Sequence, residues 1–136
     1  MPWLNRTLIV ALWCSFAATP ALAQFDSVGS LDFPTSTESS EAQSHFLRGV
    51  AILHSFGWKQ AIEQFQAAQN LDSDFVLAYW GETLCYNHPL FGGPTPDEDN
   101  PRKVLARLGS TRAVRAAKAK TEREAGFLNA VEVLWS

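Results

Sequence analysis

Between residues 38 and 71 apolar side chains recur at three- and four-residue intervals, the period of helices that bury one face. The first predicted helix runs from Glu38 or Ser40 to about Ser55 and places Phe46, Gly49, Val50 and Leu53 on one side. Gly57-Trp58 supplies a turn, and a second helix spans residues 59–71 with Ala61, Phe65 and Ala68 in line and Ile62 beside them. Asp72-Ser73-Asp74 is the next turn, with Asp74 as the cap of a third helix over residues 75–86. Three prolines and two glycines make residues 87–100 a loop. Asn100-Pro101 then reads as an N-cap followed by proline at the first helical position, and that helix stops near Leu108-Gly109. A short helix follows over residues 111–118. Thr121-Glu122-Arg123-Glu124 has the spacing of a capping box and opens the last helix. No stretch alternates with strand period, so the predicted fold class is all-α.

Residues 42–75 also carry the spacing of a tetratricopeptide (TPR) repeat, a helix–turn–helix unit with a period of about 34 residues. Small residues fall at Ser44, Gly49, Ala61 and Ala68, where two helices must touch, and Trp58 and Phe65 fill around them. Gly49, without a Cβ, admits close approach of the second helix. A single hairpin of this kind cannot bury its apolar face, so such units stack into an α-α superhelix with a concave groove. The next unit departs from the pattern. Ala78 and Tyr79 match its opening, but Thr83 stands where the repeat has glycine, Gly81 comes two residues early, and a Pro/Gly loop replaces the second helix.

The runs His45-Phe46-Leu47-Arg48-Gly49, Leu53-His54-Ser55-Phe56, Ala78-Tyr79-Trp80-Gly81-Glu82 and Tyr86-Asn87-His88-Pro89 resemble a family of exported bacterial TPR proteins. The segments Ala106-Arg107-Leu108-Gly109 and Thr121-Glu122-Arg123-Glu124 are similar too. The resemblance implies an α-superhelical fold in a longer protein. It implies no catalytic residue.

The two ends of the chain suggest export and continuation. Residues 1–23 have the layout of a secretory signal peptide: Arg6 in the basic region, an apolar core over residues 8–18, Pro20, and Ala21-Leu22-Ala23 before Gln24. The core is too short to span a bilayer, and Trp13 before Cys14 is too bulky for a lipoprotein signal. The expected location is therefore periplasmic or secreted, with no membrane association after cleavage. Residues 24–39, rich in Ser, Asp, Gly and Pro, read as a flexible lead-in, and residues 40–136 as the TPR-like helical domain. The last helix carries Phe127, Leu128, Val131, Leu134 and Trp135 as an apolar stripe and meets no stop signal before Ser136. That pattern fits the N-terminal part of a longer repeat protein, or a small protein that hides the Trp135 face by self-association.

Charge changes the picture in one place. Between Gln24 and Asn100 only Arg48 and Lys59 oppose eleven acids, whereas residues 102–123 hold eight bases and the single acid Glu122. No aromatic residue interrupts the basic run to stack on bases, and an exported protein seldom meets nucleic acid, so no nucleic-acid partner is expected. The run reads as a solvated helix face that later acidic repeats partly cover. After cleavage Cys85 is the one remaining cysteine, and its apolar neighbours Leu84 and Tyr86 place it in a core.

Candidate chemistry is thin. His45 and His54 lie on opposite sides of one helix and cannot chelate together. Glu82, Cys85 and His88 follow at three-residue spacing, but Pro89 ends the helix there and packing is the simpler reading. Asp97, Glu98 and Asp99 lack the spaced ligands of a calcium loop. Walker, dinucleotide and HExxH motifs are missing, so no metal, cofactor or catalytic residue is assigned. Trp58, Tyr79, Trp80, Tyr86 and Phe91 are read as mostly core, with adjacent Tyr79 and Trp80 unequally buried. The expected function is a scaffold that holds a protein or peptide in its groove, with His45, Arg48, Ile52, Tyr79 and Glu82 lining it. The alternative is the N-terminal repeat region of a larger exported enzyme or metal-binding protein whose active residues lie downstream.

Overall fold

The computed structural model describes residues 29–87 and 99–135. Their helices are α1 (Ser40–His54), α2 (Trp58–Leu71), α3 (Val76–Leu84), α4 (Asp99–Leu108), α5 (Arg112–Ala116) and α6 (Glu122–Leu134). The fold is all-α, with helices packed mainly as sequence-adjacent pairs: α1 on α2, α2 on α3, α3 on α4 and α5 on α6. The pair α3–α6 closes the arrangement, so α3 is the central element and is flanked by α1, α2, α4 and α6. The expected signal peptide and residues 88–98 of the expected 87–100 loop, with His88, Phe91, Asp97 and Glu98, lie outside the described residues, and residues 99 and 100 of that expected loop already belong to α4.

The helix ends follow local chemistry. Ser39 caps α1 by accepting from the Ala42 N–H at 3.1 Å. Its C-terminus is a Schellman turn: Gly57 N–H reaches Ile52 O and Phe56 N–H reaches Leu53 O, each at 3.0 Å. The left-handed residue of that turn is Phe56, at φ 61°, while the glycine sits one place later. Asp74 does not cap α3 by its side chain; Phe75 is the N-cap residue. Pro101 lies at the third position of α4 rather than the first, still inside the turn whose N–H groups have no helical partner. Thr121 caps α6 by accepting from Glu124 N–H at 3.2 Å. The Glu124 carboxylate completes no capping box, because it is drawn to Ser36 and to Lys120 N–H.

Packing centres on one ring. Phe65 of α2 is fully buried and sits against both Gly49 of α1 and Gly81 of α3. A Cβ at Gly49 would lie 2.8 Å from Phe65 Cε1, and one at Gly81 would lie closer still. Gly81, early by the repeat spacing, therefore supplies the recess that Thr83 does not. Ala61 and Ala68 are buried as expected, whereas Ser44 is exposed and makes no helix contact of the predicted kind. Tyr79 and Trp80 are both buried, against the expectation of unequal burial, since α3 has neighbours on nearly every side. Cys85 is buried and donates to Gly81 O at 3.2 Å. Burial, with the Glu82 charge adding, pushes its thiol up to about 12.

The basic run is not simply solvated. Arg107 pairs with Glu82, Lys118 with Asp74 at 2.8 Å, and Arg112 and Arg115 grip Glu132 at 2.8 and 2.6 Å. The acids that meet these bases lie on α3, α6 and the α2–α3 turn.

Candidate functional site

Residues 29–39 form no helix, as Gly29, Pro34 and the Ser/Thr-rich sequence dictate. They were expected to be a flexible lead-in, yet residues 33–37 are fastened across the molecule as a strap. Phe33 drives this, because its ring finds aromatic partners from three helices. Its centroid is 5.3 Å from Phe46 of α1, 6.2 Å from Trp80 of α3 and 5.6 Å from Phe127 of α6. The Arg123 guanidinium covers the ring at 4.3 Å, a cation–π contact worth about 0.5–1 kcal/mol at such a surface.

Around that anchor, side chains of the helices read the backbone of the strap. Gln43 Nε2 donates to Phe33 O at 2.8 Å and Arg123 Nη1 to Pro34 O at 2.8 Å. Lys120 Nζ donates to Ser36 O at 3.3 Å. Glu124 takes Ser36 twice, accepting from its N–H at 2.8 Å and its hydroxyl at 2.7 Å. Thr37 donates to Asp72 at 2.6 Å, and Thr35 bonds Gln43. Side-chain donors meet the strap's carbonyls and the carboxylates of Glu124 and Asp72 meet its donors, so the groove complements a non-helical peptide backbone that bends at Ser36. Beside Pro34, Thr35 and Ser36 lies a cavity of about 270 Å³, also lined by Thr121, Arg123 and Glu124.

Of the five residues expected to line a groove, three are buried. Ile52 and Tyr79 are buried in the core, and the Tyr79 hydroxyl donates to Ser73 O at 3.0 Å. Burial raises its phenol above the ordinary value, opposed by Arg107 and reinforced by Asp74, Glu82 and Asp72. Glu82 is fully buried and accepts from Gln66 at 2.8 Å, from Gln69 at 2.6 Å and from Arg107. It ties α2, α3 and α4 together, because a buried carboxylate needs its charge and lone pairs satisfied. His45 is half-buried with Nδ1 2.8 Å from Gln64 Oε1 on α2, and Arg48 is half-buried on α1. Three of the five are thus withdrawn from any surface. No protein-family model, curated protein or solved structure matches this chain.

Trp135 also departs from expectation. It is buried, with Arg102 donating to its carbonyl at 3.4 Å, and the exposed apolar residues near it on α6 are Val133 and Leu134. A self-association face on this helix would be built from those two and Ala130, since Trp135 turns inward with Leu128 and Val131. Another cavity, of about 340 Å³, lies among α4, α5 and α6 and is lined by Arg102, Arg112, Arg115 and Glu132 beside Trp135. Its carboxylate is already taken by two of the three arginines.

The strap's anchor Phe33 and the residues that hold the strap, Gln43, Lys120, Arg123 and Glu124, were missed as site residues in the sequence. One signal was present. Phe33-Pro34 is an aromatic residue beside a proline in an otherwise small and polar stretch, a pattern suited to an extended segment with one buried anchor.

Proposed function

We propose that this chain is an exported TPR-type helical scaffold that binds a protein or peptide partner and has no catalysis of its own. The observation that carries the proposal is the groove between α1, α3 and α6. It holds a non-helical segment through an aromatic anchor and through side-chain bonds to backbone carbonyls and an N–H. Grooves that read backbone in this way accept peptides of varied sequence, with the anchor pocket setting the preference. The Gly49–Phe65 recess and the antiparallel α1–α2 hairpin support the TPR-like reading, and the signal-like N-terminal residues support export.

The test is selection of displayed peptides on the purified chain carrying Phe33→Ala, with counter-selection on a Phe33→Ala/Arg123→Ala chain of matched helicity. Peptides that lose about tenfold or more in affinity without Arg123 are expected, since a charge-assisted bond and a cation–π contact vanish together. Failure to enrich any Arg123-dependent peptide would overturn the proposal.

A further inference from the structure

We propose that residues 33–36 are a built-in competitor: they occupy the groove that an external extended peptide uses, and they display the sequence that groove selects. This rests on the peptide-binding reading above and names its ligand class, an aromatic residue followed by proline and two residues with hydroxyl side chains, the first of them placed to donate to Gln43 Oε1. The specificity follows from the contacts at each position. The first position must fill the space between Phe46, Trp80 and Phe127 and lie flat beneath the Arg123 guanidinium, which selects an aromatic ring. The second position offers only its carbonyl, to Arg123 Nη1, so proline costs no hydrogen bond there and fixes the extended backbone in advance. The fourth position meets both oxygens of Glu124, one on its N–H and one on its hydroxyl, which selects a side chain able to donate.

Several features mark the strap as displaceable. Its bonds to α6 and the turn before it come from side chains rather than from a helix or sheet ladder, and two of the three residues that make them, Lys120 and Arg123, are exposed, while Glu124 is buried. The cavity alongside Pro34, Thr35 and Ser36 leaves room for an incoming chain to engage before the strap departs. Glu124 is also diverted from its capping role at α6 to hold Ser36, so strap release frees that carboxylate to return to its own helix end. The apparent affinity for an external peptide is then the intrinsic affinity reduced by the fraction of molecules whose strap is out.

The deciding experiment is a fluorescence-anisotropy titration with a labelled synthetic peptide of residues 30–39, sequence SLDFPTSTES. It is run against the full chain and against the full chain carrying Phe33→Ala. We expect the variant to bind about tenfold more tightly than the parent, because its own strap no longer competes. A peptide with alanine at its phenylalanine, or at the serine matching Ser36, should bind at least fivefold more weakly, and Glu124→Gln in the receptor should abolish the serine preference. Since Phe33→Ala removes an aromatic ring from the core, the same titration is run on Ser36→Ala, which leaves that ring in place and should show a smaller gain in the same direction. Equal binding to all three chains, or no binding to either variant while both keep the helicity of the parent, overturns the competitor proposal. Arg123-dependent peptides from the displayed selection that bind while the strap peptide does not would leave the peptide-binding reading standing and remove this one. If neither binds, both fall.

Discussion

Two glycines in this chain should respond to the same substitution with opposite signs. Gly81 lies in the middle of α3 with Phe65 pressed against it, and Gly126 lies in α6 with no atom within 4 Å of where a Cβ would stand. Alanine is favoured over glycine inside a helix by about 0.8–1.0 kcal/mol, so Gly126→Ala should stabilise the protein by about that much. At Gly81 the same gain is opposed by a clash with the Phe65 ring, which is fully buried and held by Phe46 at 6.0 Å and by Gly49 on its other side. A ring cannot fold away as a flexible side chain can, so the overpacking cost falls near the upper end of the usual range, about 3 kcal/mol. The net expectation for Gly81→Ala is a loss of about 2 kcal/mol, or a melting temperature lower by roughly 10 °C for a chain of this size. Urea denaturation followed by circular dichroism gives both values, and Phe65→Leu in each background tests the cause. If the ring is responsible, the cost of Phe65→Leu shrinks by at least 1 kcal/mol in the Gly81→Ala chain. A Gly81→Ala protein as stable as its parent, or free of coupling to Phe65, would refute the wedge as the basis of the α1–α2–α3 packing.

Other substitutions follow from single features. Phe56→Gly should stabilise by about 0.5–1 kcal/mol, because it relieves a left-handed backbone at a residue whose side chain is 58% exposed; a loss beyond 0.5 kcal/mol in urea melts would mean that the 6.0 Å edge contact with Trp58 outweighs the strain. Alkaline stability depends on Cys85. Its folded thiol holds its proton up to about 12 while the unfolded one releases it from about 9, so stability falls as pH rises through that window, by up to about 1.4 kcal/mol per unit. Cys85→Ala should flatten the urea midpoint between pH 9 and 10, below the range in which Tyr79, also raised, contributes to the loss; an unchanged slope would contradict the assignment. Arg107→Ala should cost about 2 kcal/mol in the same melts by leaving Glu82 buried with only amide donors, a figure reduced because Arg107 is 46% exposed. Lys103→Ala, on an exposed position of the same helix, should stay within about 0.5 kcal/mol.

What could be read in the sequence was local, and the rest was decided by contacts between distant segments. Helix existence, the Thr121 cap, the Gly49–Phe65 recess and the burial of Cys85 all depend on residues a few positions apart or on one amphipathic face, and spacing exposes these. Glu82 shows the limit. On a helical wheel it falls beside Tyr79 on a plausible inner face, and only the approach of α4 reveals that Glu82 is interior to the fold and paired with Arg107. Trp135 and Leu134 show the same limit in finer form, since a thirteen-residue helix with apolar residues on two sides does not declare which side is the core.

The strap was illegible for a different reason. Its composition is that of a loop, and loops differ from flexible tails only through what they touch. Ser36 and Glu124 are separated by 88 positions, and Arg123 and Pro34 by 89. Closing so long a loop costs chain entropy however it is arranged, and the cost grows only slowly with length. Once α3 and α6 have brought Trp80 and Phe127 together, most of that cost has already been met by the helices. The strap then need only order its own few residues, so one aromatic anchor and a handful of polar bonds suffice to seat it. Those same terms govern a peptide arriving from outside, apart from the entropy of association. The proposed exchange of the strap for an external peptide requires such a groove, one assembled by its helices rather than by its occupant.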